Sequence, residues 1–352
     1  MRRRNLTQSV LAIWLMLAAF CPAQNGSEAA DDPHAGYTPV ISGGAGYIHN
    51  VNAGVTTLEP QINPILLIPL GQRVLLESRA DFTGVFQRKN LTYGSYEGKV
   101  YQTIEFAQIN WIATKHITTV TGRYLLPFGL FNERLQPVWI RNLQDTPITE
   151  AIGTRISDAG NGFMLRGSAV QHPNYSIQYT TYFSVRSNIS KLESARTAGF
   201  DSSIYLTPHH VEAGVSYQRF LQQKQINSAA TYISWQPIHS LDIKAEGDFS
   251  HYGRGYWIES AYHLQQLPLP AIARHIQVVG RVQQFYPIHG GGNALPVVDA
   301  LRFDMGLNYY LCDNLRFVSS FGRSFSSAQN TNIWNIGFTY RFLYSLLPER
   351  KK

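Results

Sequence analysis

Strict two-residue alternation through residues 301–342 constrains this chain more than any other feature. In Ile333 to Phe342, Trp334, Ile336, Phe338, Tyr340 and Phe342 share one parity; Asn335, Gly337, Thr339 and Arg341 share the other. A period of two puts the two sets on opposite faces of a strand. Leu301 to Leu311 repeats the pattern, with Leu301, Phe303, Met305, Leu307, Tyr309 and Leu311 set against Arg302, Asp304, Gly306, Asn308 and Tyr310. Leu315 to Phe325 follows after the tight turn Asp313-Asn314. One face is rich in aromatics and the other carries charge. That suits either a soluble sheet with a wet side or a wall with lipid outside and water within.

The start of the chain bears on the choice. Arg2, Arg3 and Arg4 precede an apolar run from Val10 to Phe20, and Cys21, Pro22 and Ala23 follow. A basic region, a short apolar core and small residues predict a secretory signal peptide over residues 1–23. The run is too short to span a bilayer comfortably as an anchor helix. Residues 24–38, with Asp31, Asp32 and Pro33, read as a flexible lead-in. No later apolar run has the length of a transmembrane helix. Only 15% of the residues are charged, against about 25% in ordinary soluble proteins. Tyr (20), Phe (18) and Gly (28) are abundant instead, which suits an exported β-barrel better than a soluble domain. The formal charge is +7, and without the three leader arginines it is 27 − 23 = +4, too mild an excess to point to nucleic acid.

Period-two segments recur along the chain, and helical periodicity is nearly absent. Fifteen strands are expected from residue 58, or 16 with a Gly-rich segment from Pro39 to Val51. Leu58 to Leu70 carries Pro60, Pro64 and Pro69, so it reads as an irregular strand near an edge or as partly coil. Strands are expected at 100–113, 161–170, 241–252 and 256–267, among others. Short turns such as Gly71-Gln72, Lys115-His116 and Asp313-Asn314 alternate with longer connections at 88–99, 127–160, 187–197 and 288–300. Short turns on one rim and long loops on the other fit an outer-membrane barrel. The expected fold is all-β: a transmembrane antiparallel β-barrel of about 16 strands (14–18) over residues 39–343, with a periplasmic tail at 344–352.

One passage carries a family resemblance. Gly122-Arg123-Tyr124-Leu125-Leu126-Pro127-Phe128-Gly129 leads into the 127–160 connection, which continues through Trp139-Ile140-Arg141 and Thr146-Pro147. It resembles the Gly-Arg…Pro-Phe-Gly passage of porin-like barrels related to the phosphate-selective porin family. The resemblance implies an outer-membrane channel for small solutes, a loop folded into the lumen, and often a homotrimer. It also implies partners in outer-membrane lipid and the outer-membrane assembly machinery. Such barrels commonly end on an aromatic residue, whereas here Leu343 to Lys352 follow Phe342.

With the apolar parity assigned to lipid, the lumen receives Arg79, Arg123, Arg166, Arg186, Lys244, Arg281, Arg302, Arg316 and Arg341. It also receives Glu77, Asp81, Asp242, Glu246, Asp248, Glu259 and Asp304, so nine basic groups face seven acidic ones. A charge pointing into lipid costs ~2–4 kcal/mol at midplane, which favours this assignment. If 127–160 folds inward, Glu133, Arg134, Arg141 and Asp145 flank a constriction together with Arg123. The bland reading is that the charges pair across strands and solvate the wall, and that the loop's ion pairs hold it shut.

Other chemistry finds little footing. His209-His210 lies in a turn, and no histidine spacing resembles a metal site. Ser250-His251 and Ser260 with His263 are the nearest approach to a barrel hydrolase, with nothing to orient either pair. No nucleophile elbow, phosphate loop or dinucleotide fingerprint occurs. The sequence therefore predicts a porin, without cofactor or turnover, passing small hydrophilic solutes with at most a weak anion preference. The alternative is a surface barrel with a plugged lumen, used for binding or attachment.

Overall fold

The computed structural model describes residues 38–89, 94–154, 158–222, 226–289 and 295–346. The expected leader (1–23), the lead-in through residue 37 and the tail from 347 lie outside these residues.

Sixteen strands follow one another. They are β1 (Val40–Asn52), β2 (Val55–Leu70), β3 (Val74–Arg88), β4 (Glu97–Thr114), β5 (Ile117–Leu125), β6 (Ala159–His172), β7 (Tyr175–Val185) and β8 (Thr197–Leu206). Then come β9 (Val211–Phe220), β10 (Ile226–Ile238), β11 (Leu241–Ser250), β12 (Gly253–His263), β13 (Ile276–Pro287), β14 (Ala300–Cys312), β15 (Leu315–Ser326) and β16 (Thr331–Ser345). Each pairs antiparallel with its sequence neighbours. β1 also pairs with β16, from Val40 opposite Ser345 to Asn52 opposite Ile333. The sheet is therefore a closed antiparallel barrel, and closure leaves no strand edge unpaired.

The two faces are sorted the opposite way from a soluble sandwich. On β14, Met305 and Leu307 are 67% and 54% exposed, while Asp304 and Asn308 are 3% and 0% exposed. β12 alternates in the same way, with Tyr256 and Ile258 outside and Trp257 and Glu259 inside. An apolar exterior around a polar interior is the arrangement for a hydrocarbon surround.

Three local features depart from the sequence reading. The Pro-bearing segment is a full strand, β2, and has no edge to lie on. Its register with β1 runs unbroken, but its register with β3 skips 59–60 and 63–64, where Pro60 and Pro64 fall. A proline has no N–H for the ladder, so both breaks are placed on one side. β12 ends at His263, short of the expected 267, and a 3-10 turn with a short helix, α3 (Ala271–Arg274), leads to β13. Pro268 and Pro270 interrupt strand continuation there. Finally, β4 carries a bulge: Arg79 pairs with Phe106 and Ala80 with Ile104, which leaves Glu105 as the extra residue.

Between β5 and β6 run residues 126–158, with two single-turn helices, α1 (Phe131–Arg134) and α2 (Ala151–Thr154). Among the described residues, four clusters of buried apolar side chains join this segment to the strands. Phe128 and Ile152 cluster with Ala230 and Phe285, and Leu130 and Phe131 with Tyr232 and Trp257. Val138 and Trp139 cluster with Ile48, and Leu143 with Ala261 and Val279.

The sorting of faces yields a stability prediction. Leu307→Arg, on the exposed side of β14, is expected to cost ~2–4 kcal/mol in urea titrations of the barrel in lipid vesicles. An unchanged midpoint would contradict the assignment of that face to lipid.

Candidate functional site

The polar parity of the strands and residues 126–158 make one hydrogen-bonded system. The segment enters through Gly129, at φ 66, a backbone region that favours glycine. A Cβ there would overlap the Glu246 carboxylate. Gly129 N donates to Ser216 Oγ (3.0 Å), and Leu130 N donates to Glu246 Oε2. Asn132 Nδ2 closes the base of the segment, donating to Leu126 O (2.8 Å) and Asp158 O (2.9 Å). Arg134 forms a fork to Glu212 of β9 at 2.6 and 2.8 Å. Asn142 Nδ2 donates to Glu259 Oε1 (2.9 Å), and its carbonyl accepts from Asn308 Nδ2 (2.8 Å). Gln144 Oε1 accepts from Ser320 Oγ (2.7 Å). Farther on, Ile148 N donates to Gln283 Oε1 (2.8 Å) and Gly153 O accepts from Gln218 Nε2 (2.6 Å). Trp139 lies so close to β1 that a Cβ on Gly44 would overlap its indole.

The ten residues singled out from the sequence are each engaged, in five places. Arg281, Arg302 and Asp145 form the densest group. Arg302 reaches Asp145 at 2.5 Å and Asp304 at 2.7 Å; Arg281 reaches Asp304 at 3.3 Å, Glu259 at 3.7 Å and the Asp145 carbonyl at 2.9 Å. Asn335 Nδ2 also donates to Asp145 Oδ2 (2.9 Å). Arg79 and Arg141 meet at Gln136. Arg79 pairs with Glu105 and donates to Gln136 Oε1 (2.9 Å), while Arg141 Nε donates to Gln136 O (2.7 Å) and Nη1 to Gln144 O (2.9 Å). On another side, Glu133 faces Arg166 at 3.5 Å near the Arg134 fork, and Arg166 also donates to Asn110 Oδ1 (3.0 Å). The other two stand apart. Arg123 donates to Ile104 O, Asn161 Oδ1 and Glu193 O, which ties the 186–196 connection to the wall; Lys244 pairs with Asp242. Arg123 is thus not grouped with Arg134 and Arg141, because its guanidinium is taken by Ile104 of β4, Asn161 of β6 and the carbonyl of Glu193.

Among the described residues, three cavities bear on an inner path. One of about 570 Å³, beside the β1–β2 turn, is lined by Asn52, Thr57, Glu59, Gln87, Asp145 and Asn335, among others. A second of about 220 Å³ shares Ile48, Glu59 and Gln144 with the first. A third, of about 630 Å³, opens toward the Asp313-Asn314 turn on the other rim and is lined by Asp242, Lys244, His263, Arg316 and Arg341 among others. Val138 lines the second and Trp139 the third, so two adjacent residues stand between them.

Sequence reasoning missed Glu59, Asn63 and Glu105, which line the second cavity. Glu59 and Asn63 keep the parity of Thr57 and Gln61 and were readable once β2 is counted as a strand. Glu105 was not, because the bulge shifts the parity at that point. The serine–histidine neighbours do not pair. Ser250 Oγ donates to Gly253 O, His251 stacks on His289, and His263 contacts Gln277. Among the described residues no three His, Cys, Asp or Glu side chains are placed to hold a metal ion.

The architecture is that of outer-membrane porins. The chain is similar to OmpF of Salmonella typhi, solved with daunomycin, at TM-score 0.61 and 12% identity, over 87% of this chain and 98% of that one. It is similar to OprB of Pseudomonas putida at high pH, with TM-score 0.61 and 10% identity over 87% and 94% of the two chains. The anion-selective porin of Comamonas acidovorans aligns at TM-score 0.51 and 10% identity, over 86% and 98%. At such identities the likeness is one of fold. No family model and no curated protein sequence matches the chain, so the resemblance to the phosphate-selective family rests on the 122–147 passage alone.

The density of pairing sets an expectation for its loss. Arg302→Met would leave Asp145 and Asp304 short of a buried partner and is expected to cost ~3 kcal/mol. Lys244→Met, which breaks a single pair beside the large third cavity, is expected to cost about 1 kcal/mol or less. Urea midpoints of the two variants check this; equal losses would show that the Arg302 network contributes no more than an isolated pair.

Proposed function

We propose that this protein is an outer-membrane porin through which small hydrophilic solutes diffuse down their gradients. The observation that carries the reading is the series of polar cavities running from one rim toward the other inside an apolar-faced closed barrel. No helix among the described residues is long and apolar enough to cross a membrane, a fact that says nothing about strands. The strands are 9 to 18 residues long, and about 9–11 tilted residues suffice for a hydrocarbon core. Sixteen strands enclose an interior wide enough for an aqueous path, where eight would be filled by side chains.

In this reading residues 126–154 lie across the lumen as its constriction, held by the contacts of Glu212, Glu246, Arg281, Arg302 and Asn308. Export by the N-terminal leader, insertion by the outer-membrane assembly machinery and a homotrimeric state belong to the same proposal. The nine-against-seven count loses its force as a guide to ion preference, because Arg79, Lys244, Arg281 and Arg302 are all ion-paired. One observation favours the second reading, a plugged barrel used in binding or attachment: Ile48, Val138 and Trp139 are buried together between the second and third cavities.

Single-channel recording in planar bilayers separates the two readings. The porin reading predicts discrete conductance steps, and larger steps for Trp139→Ala, which thins the partition. A folded barrel that is silent, and silent in the variant too, would contradict the porin and leave the plugged barrel.

A further inference from the structure

We propose that the second cavity is a cation station, so that the route favours small monovalent cations over anions. This rests on the channel reading and deepens it. Three carboxylates line the cavity, Glu59 of β2, Asp81 of β3 and Glu105 of β4, against one guanidinium, Arg141. That guanidinium is committed to the carbonyls of Gln136 and Gln144. Arg79 pairs with Glu105 and donates to Gln136, so its fork is turned to the wall and the segment. An anion entering the cavity meets Glu59 and Asp81, which carry no ion pair among the described residues, and no uncommitted guanidinium.

Asn63 supplies the second observation. It lines the same cavity and is 5% exposed. Its Nδ2 donates to Asp81 Oδ1 (2.6 Å), which Thr83 Oγ1 also approaches at 2.8 Å. That hydrogen bond fixes the amide and leaves Oδ1 as an acceptor with no donor in the protein. A buried acceptor without a donor is costly, and the field of a cation held in the cavity offsets that cost. An amide dipole beside carboxylates makes surroundings suited to a hard cation. Because no three carboxylates converge as metal ligands among the described residues, the site holds an ion in passing and is no fixed metal centre. A pore site has to bind weakly enough to release.

The neighbouring cavity adds no basic lining residue. Its charged lining residues are Glu59 again and Asp145, the latter already paired with Arg302. The third cavity is mixed, with Lys244, Arg316 and Arg341 against Asp242 and Asp313. Acidic residues therefore outnumber basic ones from the β1–β2 rim through the second cavity, the smallest of the three, and charge lining a pore governs selection.

Reversal potentials of the refolded barrel under a KCl gradient test the proposal, with E59Q/D81N and E59K as variants and heat-modifiable migration as the check that each is folded. The unsubstituted protein is expected to prefer potassium. E59Q/D81N, which removes two charges, is expected to lower the potassium-to-chloride permeability ratio on the order of 25-fold, about fivefold for each charge at ~4 Å in water-like surroundings. E59K is expected to bring the ratio to unity or below. An open channel that prefers chloride, or a ratio unchanged in both variants, would overturn the station while leaving the channel standing. Silence from a folded barrel would overturn the channel and the station together.

Discussion

Closure of the sheet is the constraint on which everything else depends. With β1 bonded to β16 along its whole length, every strand has two partners. That satisfies the backbone where water is absent, since an unpaired N–H or C=O in hydrocarbon costs several kcal/mol. Closure also makes inside and outside unequal, and the period-two sequence exploits the difference. Residues such as Leu307 and Trp334 face out, and Asn308 and Asn335 face in. Polar side chains that would need bulk water in an open sheet are instead buried against one another and against residues 126–158.

That burial explains why the interior is so heavily paired. A single arginine placed inward without a partner would be destabilising, so the wall and residues 126–154 carry matched groups. Arg134 meets Glu212, Arg302 meets Asp145 and Asp304, and the backbone of 129–130 is received by Ser216 and Glu246. The carbonyls and amides of 126–154 have few regular ladder partners, and the inward side chains of β9–β16 take that place. A segment bound at so many points is held in one arrangement, and the shape of the remaining space follows from it.

Much of this was legible in the residues, for a physical reason: a wall between lipid and water imposes strict alternation, and alternation survives in the sequence. Strand number, the short-turn rim, and the inward set including Arg79, Asp81, Arg281, Arg302 and Asp304 all follow from it. What was not legible breaks the period or joins distant residues. Pro60 and Pro64 disguised β2, although the ladder tolerates them by skipping two sites. The bulge at Glu105 hid the residue that faces Arg79. Sequence spacing also grouped Arg123 with Arg134 and Arg141, whereas Arg123 serves the 186–196 connection. A bare charge count had no means of knowing which guanidiniums were already taken.

The central claim is that residues 126–154 narrow a continuous aqueous path without sealing it. Swelling of liposomes containing the refolded barrel, in neutral sugars of increasing size, tests this most directly because charge plays no part. The account predicts entry of monosaccharides with a steep loss of rate for larger oligosaccharides. Rates independent of sugar size would contradict the narrowing, and exclusion of even the smallest sugar would contradict the path.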